Sequence, residues 1–311
     1  METATINLWP TLEYPDLKDT LATVHLWTQI VGKVRLRKMP WTNHSWHVTL
    51  AVSPTGLTSG AIPNGTENFQ IDFDFIKHQL IITTSEGGQE SFQLTSISVA
   101  LFYKTLFAKL NLLNIDAYIY ASPNEVEVAI PFQQDEIHRT YDPGQIQPLW
   151  KALLIVNNIF LQFRARFMGK CSPVHFFWGA FDLAVTRFSG RKAPLHSGGA
   201  PNIPLRVMQE SYSHEVSSCG FWPGNEQFPH PCFYSYCYPS PDEFSRQLVE
   251  PSEAFFSPDM GEFILKYDDV RKSPNPQKNL FDFLQTTYEA AARAGEWNRE
   301  LLDADFSGFE K

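Results

Sequence analysis

The chain has 311 residues, 43% of them apolar and 19% charged, including 25 Phe, 11 Tyr and 8 Trp. That length can bury a large core, as one body or two domains. A net charge of −9 excludes a general attraction to nucleic acid or anionic membrane, and the longest apolar run, WKALLIVNNIFLQF, is too short and too interrupted by Asn and Gln to span a bilayer.

In chain order, DLKDTLATVHLWTQIVGKVRL from Asp16 places Leu17, Leu21, Val24, Trp27, Ile30 or Val31, and Val34 at helical spacing. WHVTLAV reads as a strand, and FQIDFDFIKH with QLIITTS reads as a hairpin. SISVALFYKTLFAKLNLL predicts a helix opened by a serine cap, followed by a strand at DAYIYA. After YDPG the pattern restarts. QIQPLWKALLIVNNIFLQFRARF is a long helix in which Pro148 is tolerable only in the first turn. SPVHFFWG, FDLAVTRF, EVSSCGFW, CFYSYCY and EFILKYDD are strands, and KNLFDFLQTTYEAAARAGEW is a closing helix. Each half therefore runs long helix, several strands, helix. The expectation is an α+β protein of antiparallel sheets flanked by long helices, with pseudo-repeated halves at 1–142 and 143–311 packed as one body. No residue-level repeat accompanies this rhythm, so the repetition is one of architecture.

METATINLWPTLEYPD lacks the basic and apolar regions of a secretory leader, which predicts a cytoplasmic protein. Cys171, Cys219, Cys232 and Cys237 form no CxxC pair and read as buried, reduced thiols without a bound metal. Cys171 also carries a nucleophile reading, because Lys170 precedes it. GxGxxG, GxxxxGK[ST], GxSxG and HExxH are all absent, so no cofactor is named by the sequence.

LEYPDLKDTLATVHLWTQIVGKVRL, NHSWHVTLAVSPTGLTS, IPFQQDEIHRTYDP, GKCSPVHFFWGAFDLAVTRFSGR and YSHEVSSCGFWPG occur in order over nearly the whole chain. These blocks resemble a bacterial domain-of-unknown-function family. The resemblance implies a bacterial cytoplasmic protein and supplies no activity, ligand or catalytic residue.

The chemistry must come from the residues. A single strand from His175 to Arg187 would run about 40 Å, so the segment is expected to fold as a hairpin turning at Gly179 and Ala180. Alternation then sets Asp182, Ala184 and Thr186 on one face, with Phe181, Leu183, Val185 and Arg187 on the other. A buried arginine needs a carboxylate, a phosphate or a ligand. The candidate catalytic residues are His175, Asp182, His214 and Glu215; Arg187 and Arg191 would fix an anionic group, and Trp178 and Trp222 would wall an aromatic cleft. His214 and Glu215 point to opposite faces unless the backbone bends. KVRLRK offers a basic patch of Lys33, Arg35, Arg37 and Lys38. The inter-half words IPFQQDEIHRTYDPG carry Asp135, Glu136, His138, Arg139, Tyr141 and Asp142, as a plain crossover or as the wall of a cleft. The leading reading is a small-molecule enzyme with a histidine acid–base group. The alternatives are a non-catalytic small-molecule binding module and a metal-dependent hydrolase built on His44 and His47. A small-molecule ligand is the expected partner.

Overall fold

The computed structural model describes residues 9–305; the leader reading of the first eight residues lies outside them. Among the described residues, seven helices accompany two antiparallel sheets of six strands each. This is the expected α+β class.

The first sheet holds β1 (Ala51–Ser53), β2 (Gly56–Thr58), β3 (Ile62–Asn64), β4 (Glu67–Asp74), β5 (Gln79–Thr84) and β6 (Gln89–Gln93). Its order is β1-β2-β4-β5-β6, with β3 pairing on β4. β4 and β5 form the expected hairpin, with Ile71 opposite Ile82 and Phe73 opposite Leu80, which puts four apolar side chains on one buried face. Asp74 Oδ1 accepts the Ile76 and Lys77 N–H groups in its turn (2.9 and 2.8 Å). Leu50 and Phe176 exchange two backbone hydrogen bonds of 2.9 Å, which stitches the first sheet's entry to the second sheet.

The second sheet holds β7 (His175–Phe177), β8 (Asp182–Lys192), β9 (His214–Trp222), β10 (Cys232–Tyr238), β11 (Phe255–Ser257) and β12 (Glu262–Lys266), ordered β11-β12-β10-β9-β8-β7. Residues 175–188 fold as the expected hairpin, with Phe177 opposite Asp182 and Phe181 in the left-handed region at φ 59°. One face of this sheet packs on α3 (Pro143–Ala165) and α6 (Pro276–Ala294).

α1 (Tyr14–Lys38) is buried on all sides along its centre, since Thr23, Thr28, Gln29 and Lys33 are as covered as Val24 and Trp27. A helix without a wet face must find partners for its polar side chains within the protein. Gln29 does so by donating to the Asn124 carbonyl and accepting the Asn124 N–H, each at 2.8 Å. Trp27 stacks on Phe102 of α2 (Val99–Leu112) with centroids 4.8 Å apart. α2 opens on Ser98, whose hydroxyl accepts the Leu101 N–H, as the serine cap predicts.

Several expectations are corrected. DAYIYA forms no strand; residues 116–121 run along the surface with Tyr118 and Tyr120 exposed. α3 begins at Pro143, capped by Asp142 accepting the Gly144 N–H at 2.7 Å, so Pro148 lies beyond the first turn. The Asp-Pro pair makes a stronger helix start than the glutamine two residues on. β2 and β3 are too short for alternation to reveal, and β6, QESFQ, has one apolar residue and so shows no apolar period. The basic patch does not exist as a patch, because successive helical residues diverge by about 100°. Lys33 is buried against Asn124 Oδ1, Arg35 donates to the His47 carbonyl (3.0 Å), Arg37 lies over Tyr118, and Lys38 bonds to Asn64 and Asp116.

Candidate functional site

Period-two alternation decides what each face of the second sheet carries. The helix-packed face takes Leu183, Val185, Arg187, Cys219, Phe221 and Phe233. The opposite face takes Asp182, Ala184, Thr186, Ser218, Gly220, Tyr234, Tyr236 and Glu262.

On that second face stands a cluster of carboxyls and phenols drawn from five separate segments. Tyr234 O–H donates to Asp182 Oδ2. The Tyr234 ring stacks on Tyr236 (6.1 Å, 19°), and the Tyr236 and Tyr212 hydroxyls meet at 3.0 Å. Glu125 comes from the loop after α2, fixed by its N–H donating to the Pro201 carbonyl at 2.9 Å. Glu262 opens β12. Two glycines make the room: a Cβ on Gly220 would sit 2.3 Å from the Tyr234 hydroxyl, and one on Gly179 would sit 2.0 Å from Glu125 Oε1. The phenol and the carboxyl occupy space that any larger residue would fill.

The electrostatics of the cluster are one-signed. Burial pushes the Asp182 carboxyl up to about 6, and only the Tyr234 hydrogen bond and the residue's own N–H oppose it. Burial pushes Glu125 and Glu262 up to about 7 each, and the Asp182 charge adds to both. No lysine, arginine or histidine forms an ion pair with any of the three among the described residues. The Tyr212, Tyr234 and Tyr236 hydroxyls are raised by burial first and then by neighbouring acids or phenols.

The other residues singled out from the sequence lie elsewhere. Arg187 is 1% exposed, donates to the Phe163 carbonyl, and lies over the Phe163 and Tyr288 rings at 3.5 and 4.3 Å. Its Nε and Nη1 have no partner, and burial pushes the guanidinium down to about 10. It is sealed under α3 and α6 with no ion-pair partner among the described residues, Asp303 acting on it only through space. Aromatic faces replace the expected anion. Arg191 bridges to Glu215 (2.7 Å) and donates to the Gly295 carbonyl, tying the end of β8 to the end of α6. His214 and Glu215 do occupy opposite faces. His214 approaches the His44 ring at 6.1 Å, while Glu215 accepts from Ser189 and Arg191. His175 is buried, its Nδ1 meets Thr49 Oγ1 at 2.6 Å, and its Nε2 is unpartnered; burial pushes it down to about 4. Trp178 is buried, donates to the Val48 carbonyl at 2.7 Å and fills the space beside Gly32. Trp222 is half-buried and stacks on Phe228. Of the eight residues, only Asp182 joins the cluster.

His44 and His47 do not converge on a common point. His44 Nδ1 meets the Ser211 carbonyl at 2.9 Å and its Nε2 takes Lys170 Nζ at 2.5 Å, while His47 Nδ1 turns to Thr42. Among the described residues, no group of three His, Cys, Asp or Glu side chains could hold a metal ion. Burial pushes the Cys171 thiol up to about 11, against the pull of Arg187 and Arg164, so it stays protonated and the nucleophile reading is withdrawn. No helix among the described residues is long and apolar enough to cross a membrane.

A family model for a family of unknown function, DUF5996, matches residues 9–304. The chain belongs to that family. The match runs through both sheets and every segment that contributes to the carboxyl–tyrosine cluster. No curated protein and no solved structure matches the chain.

Sequence reasoning missed Glu125, Glu262 and the tyrosines. The tyrosines had a signal: in CFYSYCY, Tyr234, Tyr236 and Tyr238 alternate with Phe233, Ser235 and Cys237, which assigns all three to one face. Glu125, in the loop word SPNEVEVAIP, had none.

Proposed function

We propose that this DUF5996 protein handles a small amine-bearing molecule at the carboxyl–tyrosine cluster, with Asp182 as the group that exchanges a proton with it. The observation that carries the reading is three buried, raised carboxyls on one sheet face, Asp182 adding to the other two, without a paired cation. A cationic head placed among them would let all three ionise, and the Tyr212, Tyr234 and Tyr236 rings favour a cation further. An acid held near 6 with a phenol donating to it can give and take a proton near neutral pH. An arginine-anchored anion is no longer favoured, because Arg187 is sealed and Arg191 is already paired.

The test is calorimetric titration of the full chain with putrescine and with choline, in buffers of different ionisation heat. Binding should release protons, strengthen as pH rises from 5.5 to 8, and weaken roughly tenfold in Glu125→Gln or Glu262→Gln. Absence of binding by either amine, or equal affinity for acetate, would refute it. Turnover lost in Asp182→Asn with amine affinity retained would assign an enzyme; retention of every property would remove Asp182 from the chemistry.

A further inference from the structure

A second site lies on the other side of the loop that carries Glu125. α1 turns Ala22, His25 and Leu26, at i, i+3 and i+4, toward a cavity of about 80 Å³. The facing wall is one loop, residues 121–132, closed at its base where Phe132 N–H donates to the Ala121 carbonyl at 2.9 Å. Its Val126 and Ile130 line the space. The turn that follows brings Asp135 and His138 to the same cavity.

Asp135 is 1% exposed and fully engaged. Its Oδ1 accepts the N–H groups of Ile137 and His138, each at 3.1 Å, and its Oδ2 takes His138 Nδ1–H at 2.7 Å. With Nδ1 committed to Asp135, Nε2 is the ring nitrogen of His138 left for a ligand, and it has no protein partner among the described residues. His25 donates Nε2–H to the Gly179 carbonyl at 2.7 Å, which fixes its ring at the edge of the cavity. Burial pushes the His25 imidazole down, toward the neutral form. The cavity thus combines aliphatic walls with two imidazoles, one of them oriented by a buried carboxylate.

We infer that this cavity binds a short aliphatic alcohol, its O–H donating to His138 Nε2 and its carbon body lying against Leu26, Val126 and Ile130. A carboxylate ligand would face Asp135, whose oxygens already accept three N–H groups, and no lysine or arginine lines the cavity to receive it. A hydroxyl supplies the one donor the geometry lacks. The volume accommodates roughly five water-sized groups, which suits a four-carbon alcohol. The site shares the 121–132 loop with the carboxyl–tyrosine cluster but none of its carboxyls or phenols, so the two are tested by different ligands and different side chains.

The probe is isobutanol, titrated into the full chain and followed by long-range ¹H–¹⁵N spectra of the imidazoles. The His138 and His25 ring signals should shift saturably, and 1-chloro-2-methylpropane, which has the same shape without the hydroxyl, should bind roughly tenfold more weakly. Ala22→Leu, which fills the cavity, should abolish the shifts; if that variant does not fold, Val126→Leu supplies the same readout. The inference is overturned by the absence of saturation up to the solubility of the alcohol, by equal affinity for the chloride, or by unchanged shifts in a folded filled variant.

Discussion

Asp182→Asn isolates the cost of an unpaired buried carboxyl. The substituted amide oxygen still accepts the Tyr234 hydroxyl, so the geometry is retained while the charge is lost. Asp182 is 7% exposed and its carboxyl is raised from 3.8 to about 6. A raised acid contributes stability that is fully present below its unfolded value and is lost as pH rises through its folded one. At 1.36 kcal/mol per pH unit, the loss by pH 8 is about 3 kcal/mol, of which about 1.4 kcal/mol falls between pH 5 and 8. The variant should therefore gain about 1.4 kcal/mol on the parent across that window, or more, because neutralising Asp182 also relieves Glu125 and Glu262. Urea unfolding followed by tryptophan fluorescence at several pH values measures the difference directly. Contributions from other titrating groups cancel where they are common to both chains. Parallel stability curves, or a difference that shrinks toward alkaline pH, would refute the reasoning.

Gly220→Ala should push the Tyr234 hydroxyl off Asp182, costing about 1–3 kcal/mol in urea unfolding; a neutral result would mean that the phenol can move freely. Arg187→Met should be neutral or stabilising, since it removes a guanidinium with two unpartnered nitrogens, while Arg187→Ala should cost about 3 kcal/mol or more by leaving a cavity under α3 and α6. Thermal melts of the two variants separate these outcomes. His175 is lowered from 6.5 to about 4, so the stability of its neutral form is lost as pH falls through that window; His175→Gln should flatten the acid limb of the urea curve there. Stoichiometric zinc should leave the melting temperature unchanged, because both His44 nitrogens already have partners; a rise would restore the metal reading.

What the sequence by itself determined follows from period. Leu17, Leu21, Val24 and Trp27 at helical spacing predict the buried helix, and FDLAVTRF predicts which of its side chains turn inward, Arg187 among them. Local rules of that kind need no knowledge of neighbouring chain. They also explain the misses, since a three-residue strand such as β3 has too few positions to show a period, and 116–121 has the strand pattern without a sheet edge to join. Tertiary structure alone decided what meets across the sheet. Glu125, Asp182, Tyr234 and Glu262 come together because a loop from the first half lies over strands of the second, where Gly179 and Gly220 leave space. It also decided that Arg187 would lie against rings and not in an ion pair, because what lies opposite a side chain depends on which helix packs there. Side-chain direction is a property of neighbouring residues along the chain; juxtaposition is a property of segments far apart in it.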